Sequence, residues 1–141
     1  MQLNHFVDYS FRTLIYVAVN EGKRSTLTQV SDQFSISKEH LRKVVHRLAQ
    51  LGYLETYKGK HGGFELSRDA GLINLGELFE ELEEQRKVID CDHLNCLLNP
   101  ACNLKSVFYR AQKAFIDTLA EFTLADVVDN DSTRAMLIAK V

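Results

Sequence analysis

The 141-residue chain has one proline, no low-complexity tract and no long apolar run. Its longest apolar stretch, Leu14 to Val19, is far too short to span a bilayer, so no membrane partner is expected. No basic segment followed by an apolar one opens the sequence, which argues against secretion. Cysteine is scarce as well: three residues, which cannot all pair within one chain, so a disulfide framework is excluded. Reduced thiols point to the cytoplasm. The acidic cluster Glu80, Glu81, Glu83 and Glu84 offers no carboxylate pair in a glycine-rich or histidine-bearing cleft, so hydrolytic chemistry is not expected there. What remains is a chain that is 45% hydrophobic, enough for one cored domain, or one domain plus an arm.

The net charge of −2 conceals an asymmetry. Residues 1–70 hold ten Lys/Arg against seven Asp/Glu, a net of +3, and residues 71–141 hold seven against twelve, a net of −5. A polyanion must therefore meet the N-terminal half, through a local patch rather than through bulk charge.

Residues 3–19 place Leu3, Phe6, Val7, Phe11, Leu14, Ile15 and Ala18 at helical spacing. Asp8 flanks this stripe, and the spacing alone favours a surface acid paired with Arg12 at i+4. Thr26-Leu27-Thr28 opens a short helix, Gln29 to Phe34. Ser35-Ile36-Ser37 is a polar turn, with Ser37 as N-cap of a helix running to about Leu51. That second helix buries Leu41, Val44, Val45, Leu48 and Leu51. Its other face and leading end carry Ser37, Lys38, His40, Arg42, Lys43, His46 and Arg47.

Two short helices joined by a tight polar turn form a helix-turn-helix pattern. Two strand-like runs follow, separated by Lys58-Gly59-Lys60-His61-Gly62-Gly63, a basic hairpin tip. A basic helix face alone is what any solvated helix shows. Joined to a basic wing it points to double-stranded operator DNA, with Thr28, Ser37, Lys38, His40, Arg42, Lys43, His46, Arg47, Lys58, Lys60 and His61 as contacts.

Asn74 caps a further helix whose end carries Glu80, Glu81, Glu83 and Glu84. After an intervening loop, Asn103 is the expected N-cap of a long helix from Leu104 to Phe122. There Leu104, Phe108, Ala111, Phe115, Thr118 and Phe122 alternate steps of four and three, the spacing of a coiled-coil seam. The seam could serve the chain's own core. A second apolar line through Val107, Ala114 and Leu119 favours an arm buried on two sides, one of them against a partner. Thr123 caps a short helix to Val128, and residues 129–141 are expected to be loosely ordered apart from Met136-Leu137-Ile138.

The fold class expected is mainly α with a small β-hairpin: a winged helix-turn-helix plus a long dimerisation helix. Residues 1–84 form the DNA-binding domain (wing 54–66), 85–103 a cluster-binding loop, and 104–141 the dimerisation helix and tail.

All three cysteines lie in that loop, as Cys91, Cys96 and Cys102, a C-x4-C-x5-C spacing with Pro100 inside it. Structural zinc sites take four ligands with tighter knuckles. Iron–sulfur clusters are held by thiolates and tolerate wider loops. Three unmetallated cysteines would be expected among apolar neighbours, whereas these lie beside Asp90, Asp92, Asn95, Asn99 and Asn103.

The opening Met1-Gln2-Leu3, Phe6 and Asp8-Tyr9, the helix-turn-helix, the glycine-rich wing, the three cysteines and Thr123 to Val128 together resemble the NsrR family. These are nitric-oxide-sensing iron–sulfur transcriptional repressors of a winged-helix group that also includes IscR. The cysteine spacing fits this family better than IscR, whose first gap is one residue longer and which adds a histidine ligand. The resemblance spans nearly the whole chain. It implies a homodimer joined by the long helix and an iron–sulfur cluster, 4Fe-4S favoured over 2Fe-2S, held by Cys91, Cys96 and Cys102. It also implies an acidic fourth ligand matching Asp8 of the partner subunit, with His5 one turn away as the competing donor. Nitrosylation would then displace a ligand, release operator DNA and derepress nitric-oxide detoxification genes. The alternatives are an iron–sulfur, iron or redox-status regulator on the same scaffold, a zinc-bound or metal-free winged-helix protein, and an electron-transfer enzyme.

Overall fold

The computed structural model describes residues 2–84, 87–99 and 101–138. Helix α1 (His5–Val19) begins where Asn4 turns its side-chain oxygen onto the Val7 amide. Helix α2 (Leu27–Phe34) opens with a capping box, in which Thr26 accepts from the Gln29 amide while the Gln29 side chain accepts from the Thr26 amide. The chain leaves α2 through Ser35 at φ 54°, a left-handed residue that is not glycine. It then enters α3 (Lys38–Gln50) under the Ser37 cap. Strands β1 (Leu54–Tyr57) and β2 (Gly63–Leu66) pair antiparallel, with Leu54 opposite Leu66 and Tyr57 opposite Gly63. Ser25 adds an isolated bridge to Phe64, so the wing is fastened to the segment before α2.

A single 3-10 turn, Ala70–Leu72, leads to α4 (Leu75–Leu82) under the Asn74 cap. The long helix α5 (Asn103–Ala120) packs along α4, and α6 (Leu124–Val128) returns to α1 under a second capping box from Thr123 and Asp126. The core lies between α1, α3, α4 and α6. Val7, Leu14, Val17, Leu41, Val44, Leu48, Leu78 and Leu124 are all essentially inaccessible to solvent. Removing apolar area on this scale from water is the main stabilising term.

The mainly α fold with a small hairpin wing matches the sequence reading, and three details differ. Asn103 is the first residue of α5 rather than its cap; Cys102 takes the cap position and provides no side-chain bond. The tail is more ordered than expected: Asn130 caps α7 (Asp131–Leu137), and Leu137 is buried, its carbonyl accepting from the Asn20 side chain. Lastly, the expected coiled-coil seam is only partly free in the single chain. Phe115 packs edge-on to Phe79 at 5.1 Å and Phe108 is half-buried, while Leu104, Ala111 and Thr118, and Phe122 just past the helix end, are exposed. The exposed line is continued by Val107 and Ala114.

The two helices touch at Gly76. A Cβ there would lie 2.7 Å from the Ala120 Cβ, so only hydrogen allows the approach. Among the described residues, no helix is long and apolar enough to cross a membrane.

Candidate nucleic-acid interface and cysteine loop

Helix α3 buries Leu41, Val44, Val45 and Leu48 and turns Lys38, His40, Arg42, Lys43, His46 and Arg47 outward, each exposed. The 3.6-residue period separates these sets, so folding the core presents the basic face. Thr28 is exposed on the first turn of α2. Lys58, Lys60 and His61 are exposed at the hairpin tip. The wing's shape depends on its glycines. Gly59 sits at φ 96° and Gly63 at φ 144°, and a Cβ on Gly63 would stand 2.5 Å from the Ser25 carbonyl oxygen.

Arg24, absent from the expected contacts, holds this wing. Its guanidinium carbon lies 3.6 Å from the centroid of the Tyr57 ring, and its Nη1 donates to the His61 carbonyl at 3.0 Å. Nothing local in the sequence signals this, since its partners are more than thirty residues away. At the other end of α3, Arg47 reaches the Glu81 carbonyl at 3.5 Å and the Tyr53 hydroxyl donates to the Glu81 carboxylate. Burial, and then that carboxylate, push the Tyr53 phenol up. One member of the acidic cluster is thus engaged with the C-terminal end of α3.

Asp8 lies on α1, half-buried, with an oxygen 2.9 Å from Arg12 Nε, the i+4 pairing that its spacing suggests. It lines an open cleft of about 490 Å³ together with His5, Tyr9 and the α2–α3 turn at Phe34, Ser35 and Ile36. Within that wall the His5 and Tyr9 rings stack at 5.6 Å, and Tyr9 meets the His40 ring at 6.2 Å. The face of α1 that carries Asp8 and His5 is therefore in contact with the leading end of α3. Asn4, which caps α1, also donates to both carboxylate oxygens of Glu83, where the chain leaves α4 for the cysteine loop.

The three cysteines are unpaired, with Cys91 buried, Cys102 partly so and Cys96 exposed. Asp92 accepts from both Lys87 and Lys105, and these ammonium groups, Lys105 foremost, hold its carboxyl down at about 2. Asp90 pairs with His93 at 2.7 Å, and the Asn99 amide donates to the Cys91 carbonyl at 3.0 Å. Among the described residues, no three His, Cys, Asp or Glu side chains are gathered as a metal site. In kind, the donor set fits iron: three free thiols follow one another along a loop with no helix or strand among its described residues.

Residues 3–130 match the Rrf2 family, described as iron-dependent transcriptional regulators. A Shouchella clausii protein named HTH-type transcriptional regulator NsrR is 41% identical over 142 residues, covering 97% of this chain and 95% of its own. The Bacillus subtilis protein of the same name is 40% identical over 134 residues, covering 92% of each. Two solved structures share the fold. One is IscR of T. potens, with a TM-score of 0.75 at 20% identity, covering 100% of this chain and 94% of its own. The other is CymR of B. subtilis, a global cysteine regulator, with a TM-score of 0.74 at 20% identity, covering 91% and 96%.

Proposed function

The chain belongs to the Rrf2 family of transcriptional regulators, and on that premise we propose that it is a cytoplasmic, homodimeric repressor that senses nitric oxide through an iron–sulfur cluster. It is a DNA-binding regulator and not an enzyme. The observation that carries the finer reading is the near-full-length identity, about two residues in five, to relatives named NsrR, in a chain whose only thiols share one loop.

Cys91, Cys96 and Cys102 would hold the cluster, 4Fe-4S in preference to 2Fe-2S, with Asp8 of the partner subunit as the fourth donor. When bound, the cluster supplies iron that nitric oxide can ligate. A carboxylate is a hard donor among soft thiolates, so Asp8 would be the most weakly held of the four. Around it, this chain's residues link ligand state to DNA reading. Asp8 adjoins Tyr9, Tyr9 meets His40, and His40 stands in the first turn of α3. Movement of α1 is therefore felt where α3 meets DNA. Paired recognition helices must sit about one turn of DNA apart, so a small change in their spacing loses contacts at both half-sites.

The dimer contact assigned is the exposed line of α5, through Leu104, Val107, Ala111, Ala114 and Thr118. Its steps of three and four residues suit a second copy of the same helix.

Anaerobic purification tests this function, with an absorption spectrum, iron and sulfide analysis, and gel-shift titration with nitric oxide. The reading expects a coloured, iron- and sulfide-bearing dimer that releases DNA as nitric oxide is added. Iron-free anaerobic protein, or release by oxygen but not by nitric oxide, would replace it with a plain winged-helix regulator or a redox-status sensor respectively.

A further inference from the structure

We propose that Arg24 is the positioning residue of the wing, setting where Lys58, Lys60 and His61 meet DNA while making no essential DNA contact itself. The inference rests on the DNA-binding part of the proposed function and is independent of the cluster.

Three contacts converge on one guanidinium. Its plane covers the Tyr57 ring at 3.6 Å, at the end of β1. One nitrogen donates to the His61 carbonyl at 3.0 Å, at the hairpin tip. Another lies 3.9 Å from a Glu65 oxygen, on β2. Glu65 in turn accepts from the Tyr57 hydroxyl at 2.6 Å, so ring, carboxylate and guanidinium form a closed set across the hairpin. That bond, first among its causes, pushes the Tyr57 phenol up to about 12.

The backbone supports the same placement. Ser25, the next residue, exchanges two hydrogen bonds with Phe64 at 2.9 and 2.8 Å. Arg24 therefore springs from a point already fixed to the wing and reaches over its tip. A two-stranded hairpin is marginal alone, and the six residues from Lys58 to Gly63 include three glycines. Without a brace, the tip's cations would pay ordering entropy on every binding event. Arg24 also sets a positive charge beside Glu65, a carboxylate that would otherwise repel phosphate from the wing.

Lysine cannot replace this arrangement. It has no planar face for the Tyr57 ring and no fork to reach a carbonyl and a carboxylate together.

The test uses the full-length dimer and a duplex selected from a random library by the native protein. Arg24→Ala and Arg24→Lys are each expected to weaken binding about tenfold and to reduce the slope of log K against log salt by about two, one for each wing lysine disengaged. In a Lys58→Ala/Lys60→Ala/His61→Ala background, Arg24→Ala should cost almost nothing more, because the side chains through which it acts are gone. Hydrogen exchange, which needs no DNA, should show faster exchange at the tip amides of both Arg24 variants and unchanged protection in α1 and α3. Restored affinity in Arg24→Lys would make the role one of charge and overturn the proposal. So would additive losses in that triple background, or tip exchange that does not change. If the native protein selects no duplex, the DNA-binding reading itself fails, while the exchange measurement still decides whether Arg24 braces the wing.

Discussion

Tyr9 and His40 face each other across the α1–α3 contact with ring centroids 6.2 Å apart, which puts the residue after Asp8 against the first turn of the recognition helix. The proposed sensing and reading surfaces are thereby joined by a short path of packed rings, and this relationship underlies the first prediction.

Asp8→Ala should leave folding and operator binding intact. The carboxylate's partner in its own chain is the exposed Arg12, one turn along the helix, and such a pair contributes only about 0.3–0.5 kcal/mol. The variant's response to nitric oxide, followed by gel shift and by the visible absorption of anaerobic protein, should change. An unaltered titration would remove Asp8 from the sensing mechanism and leave His5 as the donor to test.

Lys43→Ala and Lys60→Ala address DNA from two directions, the helix face and the wing tip. Each should weaken binding across all sequences and lower the salt slope by about 0.9, the counterion released per phosphate contact. If either slope matches that of the native protein, that lysine is not at the interface.

Gly63→Ala should damage the wing more than its size suggests. The residue holds φ 144°, and the new methyl would press on the Ser25 carbonyl that pairs with Phe64. A loss of about 1–3 kcal/mol in thermal or denaturant unfolding is expected. Unfolding at the native midpoint would show that the Ser25–Phe64 bridge has room to yield.

Ala111→Glu combined with Ala114→Glu should split the dimer without unfolding the chain. Both positions are exposed in the single chain, and glutamate is a good helix former. Analytical ultracentrifugation should report a monomer with unchanged helical circular dichroism. A dimer that survives four added charges per pair of helices would move the interface elsewhere.

Much of this architecture is legible in sequence because its signals are local. The Ser37, Asn74 and Thr123 caps stand where their helices begin, and the glycines between Tyr57 and Phe64 mark the hairpin. The alternation within α3 separates core from basic face by spacing alone. What escapes is either non-local or ambiguous in period. Arg24 binds a ring, a carbonyl and a carboxylate brought to it only by the return of the hairpin. Ser35 takes a left-handed turn with no glycine to announce it. In α5 a seam of alternating threes and fours can be drawn along more than one face, and only packing against Phe79 shows which phenylalanine turns inward. Helix α7 is too short for periodicity to reveal, and its Asn130 cap lies in a polar stretch that reads equally well as coil.

The bare contact at Gly76 gives α5 a mechanical character. With no side chain to act as a cushion between the two axes, the long helix is seated directly on α4. Over the roughly 27 Å of an 18-residue helix, a rotation of about 10° at the far end becomes a sweep of about 5 Å. In the proposed dimer, a modest readjustment between twin arms would thus be geared up into a displacement that a DNA groove would register.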